Sequence, residues 1–238
     1  MFVPVLILTA AIATLTGSGV TKTEARPVEA FTAIESGGSW NVEIVAGDKA
    51  TVAITGDDNI VPLITTTVKD GVLVVRCAES ITTKVPTTVK IAVPSLTALK
   101  LSGAGNASVS DVKSTKLALD ASGAGNVSFK GTSEDVAVKA TGAGNVALAG
   151  KAKSLTANVS GAGNVDGAAF EVTLATVKVS GSGNVAVNAT TSLDVTASGT
   201  GNVVYSGAPK LSKKVSGMGS VKGKDAPAAP AKKRGGGW

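Results

Sequence analysis

The chain has 238 residues, enough for one elongated repeat domain or two small ones, and is rich in small and β-branched residues while aromatics make up only 3%. Such a composition disfavours a thick globular core and suits a thin, regular one. The absence of histidine removes the usual neutral-pH general base and the commonest metal ligand, and the single cysteine allows neither a disulfide nor a thiolate cluster.

The net charge of +6 is unevenly placed. Residues 222–238 hold Lys222, Lys224, Lys232, Lys233 and Arg234 against Asp225, or +4, which leaves +2 for residues 1–221. A nearly neutral body argues against general binding to nucleic-acid backbones.

In chain order, Phe2 to Leu15 is an apolar run too short to span a membrane, followed by small residues at Ala11-Ile-Ala13 and Thr23-Glu-Ala25. It reads as a secretory signal peptide over residues 1–25, although no basic residue precedes Phe2. A buried first strand is the alternative. Residues 26–95 are strand-like but irregular. Ser36-Gly-Gly-Ser-Trp-Asn41 and Thr55-Gly-Asp-Asp-Asn59 look like diverged copies of one corner, and Cys77 ends the apolar run from Val72, where a buried inert thiol is expected. Pro86 and Pro94 bracket a further strand.

From residue 96 to 223 the sequence repeats. Ser/Thr-Gly-x-Gly-Asn recurs with its asparagine at Asn106, Asn126, Asn145, Asn164, Asn184 and Asn202, and Ser216-Gly-Met-Gly-Ser220 closes the series. The spacing of 18–20 residues is the period of a solenoid coil. Seven residues before each final position stand Leu99, Leu119, Val138, Ala157, Val177, Val195 and Lys213; the column one residue later reads Lys100, Asp120, Lys139, Asn158, Lys178, Thr196 and Lys214. This period-2 alternation marks a strand with one face inside and one in water. A second strand resumes after each asparagine, and turns such as Thr132–Asp135 are expected to join coils. Stacked parallel strands about 4.8 Å apart would give a rod of roughly 29 Å from Asn106 to Ser220. The last copy, with Lys213 and Lys222, is expected to cap the open sheet edge. Residues 224–238 lack periodicity and read as a disordered basic tail.

The two glycines of the motif are expected to supply positive φ angles and to let coils approach closely. The asparagines are expected to form an internal corner ladder, each amide bonded to those above and below. A calcium-binding β-roll is excluded because the repeated polar residue is a neutral amide at about twice that repeat's period. No helix follows the glycines to form a phosphate loop. The outward column is too varied for an ice-binding face, but Lys100, Lys139, Lys178 and Lys214 form a candidate outward face for an anionic polymer. No catalytic, cofactor or metal residues are assigned. For a polysaccharide lyase or hydrolase, only Asp111 with Glu134 or Asp135 could bring two carboxylates together.

Phe31-Thr-Ala-Ile34, Trp40-Asn-Val-Glu-Ile44, Gly47-Asp48, Gly56-Asp-Asp-Asn59, Gly71-Val-Leu-Val-Val75 and the repeated motif resemble the auto-transporter adhesin "head GIN" domain over residues 28–222. The resemblance implies an all-β, right-handed parallel β-helix in a bacterial cell-envelope protein. The expected function is therefore a non-enzymatic exported solenoid that binds a surface glycan, lipid or protein, or serves as a scaffold. A polysaccharide-acting β-helix enzyme is the alternative. The tail's Lys232-Lys-Arg234 is expected to contact an anionic envelope surface.

Overall fold

The computed structural model describes residues 14–224; most of the expected export signal and residues 225–238 of the tail lie outside them. The irregular part contains β1 (Leu15–Thr16), β2 (Thr21–Arg26), β3 (Ala33–Ser36), β4 (Asn41–Ala46), β5 (Thr51–Asp57), a 3-10 turn at Val61–Leu63, β6 (Ile64–Lys69), β7 (Val72–Cys77), β8 (Ile81–Thr82), β9 (Thr88–Val93) and β10 (Ala98–Leu101). Long strands follow: β11 (Ala107–Ala121), β12 (Val127–Ala140), β13 (Val146–Val159), β14 (Val165–Val179) and β15 (Val185–Ala197). The chain then forms β16 (Val203–Ser206), β17 (Lys210–Val215) and β18 (Val221–Gly223).

From β10 onward each strand pairs in parallel with its counterpart one coil away, so the period seen in the sequence is the height step of a parallel β-solenoid. The joining segments differ from expectation. Residues 132–135 are not a free turn, because β12 runs unbroken and pairs Gly131 with Gly150, Thr132 with Lys151 and Ser133 with Ala152. Backbone groups left unpaired at every coil would be costly, so the ladder continues around the bend. Differences in coil length are taken up by bulges, at Ser110/Val112 and between Gly167 and Glu171.

The stacking order near the N-terminus is not the chain order. β3 lies between β7 and β10, and β4 lies between β9 and β11, all in parallel. The coil made by residues 33–46 is therefore inserted between the coil at 72–93 and the regular array. This makes Ser36–Asn41 a true copy of the corner. Gly56 and Asp57, by contrast, belong to β5, which runs antiparallel to both β2 and β9, so Thr55–Asn59 is not a corner. β6 closes β7 in the same antiparallel way. These strands end the parallel stack on antiparallel pairs, with β2 and β6 as the outermost strands among the described residues.

β1 pairs with β8 and β2 with β5, so the folded body begins before residue 26, the boundary expected from sequence. Asp57 ties this end together. It is fully buried; Gly19 N–H donates to its Oδ1 at 2.7 Å, and Lys84 and Val85 N–H donate to its Oδ2 at 3.0 Å each. Burial pushes this carboxyl's pKa up, but the three N–H donors and the Lys84 charge outweigh it and hold the group below its ordinary range.

The core is a set of vertical columns. Leu99, Leu119, Val138, Ala157, Val177 and Val195 stack in register, each nearly inaccessible, as the alternation required. Phe129 and Phe170, both fully buried, meet edge to face at 6.0 Å within this thin interior. At the C-terminal end, β17 pairs only with β15 and β18 only with β16 among the described residues. The last coil thus stacks on the edge of β15 and β16, and among the described residues its own outer edge is unpaired.

Candidate functional site

The repeated corner places its two glycines against the coil beneath. A Cβ at Gly125 would lie 1.7 Å from the Gly105 carbonyl oxygen, and one at Gly123 1.9 Å from that of Gly103. The same approach recurs at Gly144 and Gly163, each 1.8 Å from the oxygen below. None of these glycines has a positive φ. Of the two reasons expected for them, only the close approach applies: the corner crosses over another backbone with no room for a side chain.

The asparagines do form a ladder, beginning one coil earlier than the regular repeat. Asn106 Nδ2 donates to Asn41 Oδ1, and the pattern continues through Asn126, Asn145, Asn164, Asn184 and Asn202 at 2.9–3.2 Å. The backbone N–H of each donates to the same Oδ1 at 2.9–3.4 Å, ending with Ser220. Because a backbone N–H can only donate, the atom facing it must be the amide oxygen, which fixes the orientation of every amide. Each Oδ1 then accepts two bonds, and each Nδ2 retains one N–H. The ladder is not internal, as had been expected: every asparagine in it is exposed. The inward positions at the corner go to the second glycine and the residue after the asparagine, such as Gly105 and Ala107, so alternation turns the amide outward.

Beside the ladder runs a groove of about 480 Å³, bordered by Asn41, Asn106, Asn126 and Asn145 and floored by Ser108, Ser128 and Ala147. Glu43 closes it at one end, with Lys90 3.7 Å away. The sequence reading did not single out this floor. Its signal is the position two residues after each asparagine, which stays small over three successive coils.

The lysine column is partly neutralised. Lys100 lies 3.4 Å from Glu35, which Arg76 also contacts, and Lys139 lies 3.6 Å from Asp120. Glu35 aligns with Lys100, and Asp120 with Lys139, on adjacent coils. Lys178 aligns with Asn158 and Thr196, and Lys214 with Thr196, so no acid flanks either in register. The four lysines therefore do not make one uniform cationic stripe.

The enzyme candidates occupy different register positions and have partners of their own. Asp111 sits on the bulge with φ of 60°, whereas Asp135 aligns with Lys116, five positions further along the strand. Asp135 accepts from Ser154 Oγ at 2.6 Å, and Glu134 pairs with Lys153 at 3.4 Å. Cys77 is half-buried rather than fully buried, its thiol facing the Glu79 carbonyl at 3.6 Å.

Residues 30–209 match the family model described as "Putative auto-transporter adhesin, head GIN domain". Among solved structures, a "putative adhesin" from Bacteroides fragilis is 26% identical with a TM-score of 0.84, covering 88% of this chain and 99% of its own. A "putative adhesin" from Parabacteroides distasonis, 24% identical with a TM-score of 0.70, covers 89% and 100%. A "putative lipid binding protein" from the same species, 21% identical with a TM-score of 0.71, covers 89% and 99%; these last two likenesses concern the fold alone. No curated protein matches the sequence.

Proposed function

The chain belongs to the head GIN domain family of auto-transporter adhesin-like proteins, and on that premise we propose that it is an exported, non-catalytic binding rod whose groove along the asparagine ladder holds an extended glycan. The observation that carries this reading is the exposure of the ladder. A purely structural ladder could be buried, whereas this one presents one free amide N–H per coil, about 4.8 Å apart, beside a floor of serine and alanine. Small floor residues let a flat polymer lie close, and its hydroxyl oxygens can accept from successive amides. The engagement of Glu134 by Lys153 and of Asp135 by Ser154 supports binding rather than cleavage. Export would use the apolar N-terminal run, with cleavage near Ala11-Ile-Ala13, because a cut after Ala25 would remove β2. The basic residues Lys232, Lys233 and Arg234 would then add attraction to an anionic envelope surface.

Binding of the full chain to a glycan array tests the reading. Ser128 and Ala147 are exposed neighbours on the groove floor. Ser128→Arg and Ala147→Arg together are expected to abolish the glycan signal while leaving the circular dichroism spectrum and melting temperature unchanged. Glycan binding that survives the filled groove would overturn the assignment, as would no binding by the wild-type chain.

A further inference from the structure

The two ends of the rod differ in strand direction and charge: antiparallel strands end the N-terminal side, whereas the C-terminal side ends on a parallel, lysine-rich coil. Residues 203–224 carry Lys210, Lys213, Lys214, Lys222 and Lys224 with no acid among them. Among the described residues β17 is bonded on one side only, so the N–H and C=O groups on its other side face outward, the condition for strand addition. Lys213 is the informative residue. It aligns with Val195, which is 2% exposed, and so occupies a column that is apolar in every coil below it. Leu211 and Val215, on either side, align with the buried Leu193 and Ala197 and keep the apolar pattern.

A strand laid on β17 would therefore meet, at alternate positions, an apolar residue, a cation and an apolar residue. An apolar side chain over Lys213 would bury an unpaired charge, and a second copy joined through the same end would bring two lysine-rich coils together. We propose that this end binds an extended segment of another protein with the pattern apolar-x-acid-x-apolar, its carboxylate over Lys213. The surface is separate from the groove beside the asparagine ladder, and the inference does not rest on glycan binding.

Two labelled peptides test it, Thr-Val-Thr-Glu-Thr-Val-Thr and the same peptide with Lys in place of Glu, titrated by fluorescence anisotropy into the full chain. The wild type is expected to bind the Glu peptide about tenfold or more tightly than the Lys peptide. Lys213→Glu should reverse that order and Lys213→Val should remove it; Lys213 is exposed, so neither change should lower the melting temperature. The Ser128→Arg, Ala147→Arg chain should keep the wild-type preference. An unchanged order in Lys213→Glu overturns the proposal. So does failure to bind either peptide, whether or not the chain associates with vesicles of phosphatidylglycerol, which would assign the lysines to a membrane surface.

Discussion

The residues of the repeated motif that look most alike in sequence do unequal work. A methyl group at Gly144 would overlap the Gly125 carbonyl at 1.8 Å, and neither backbone can retreat without breaking the coil spacing. Removing the Asn145 amide only exposes partners that water can reach, since Asn126, Asn145 and Asn164 are all at the surface. Gly144→Ala is therefore expected to cost about 3 kcal/mol or more, against about 1 kcal/mol for Asn145→Ala. Urea unfolding of both variants gives the comparison, and similar midpoints would contradict it. Sequence alone could place both residues at a corner. It could not rank them, because the ranking depends on which atoms of the next coil lie within reach.

At the scale of elements, the N-terminal cap is held by side-chain chemistry that the columns of the solenoid do not use. Asp57 fastens the segment before β2 and the segment before β9 to the end of β5 through three N–H bonds. Glu24 sits between Lys22 and Arg26 on β2, and hydrogen bonding from Lys22, aided by Arg26 and opposed by partial burial, holds its carboxyl below the ordinary range. A carboxyl with a depressed folded pKa stabilises the fold fully above its unfolded value, 3.8 for Asp57, and that contribution is lost as pH falls through the lower folded value. The cap is thus expected to loosen first in acid, with hydrogen exchange of β1, β2 and β8 rising below about pH 4 while β12 to β14 stay protected. Asp57→Asn should loosen the cap at neutral pH and flatten its acid response. Uniform exchange along the rod would count against this. The cap was poorly legible in sequence: Gly56-Asp-Asp-Asn59 imitates the corner, and only pairing of β5 with distant β2 and β9 distinguishes it.

For the molecule as a whole, the central coils are interchangeable and the N-terminal ones are not. Deleting residues 146–164 joins Asn145 to Val165 and lets β12 stack on β14 with its apolar columns still aligned. That variant is expected to fold as a rod shorter by about 4.8 Å, measurable by small-angle scattering. Deleting residues 33–46 should abolish folding, because this coil separates two others that pair with it on both faces. A folded product would contradict the inserted stacking order.

The solenoid itself, its coil length and its apolar columns could be read before any coordinates, because a period of 18–20 residues with strict alternation leaves the backbone few ways to bury its small side chains. The same alternation puts the asparagine column on the outward face, whereas the bond from each amide to the next coil is decided by stacking. The groove, the interleaved N-terminal coil, the antiparallel cap and the edge carrying Lys213 all come from contacts between residues distant in the chain. Local pattern records which side chains share a face, whereas the order of stacking and the fate of each sheet edge are set by long-range backbone pairing.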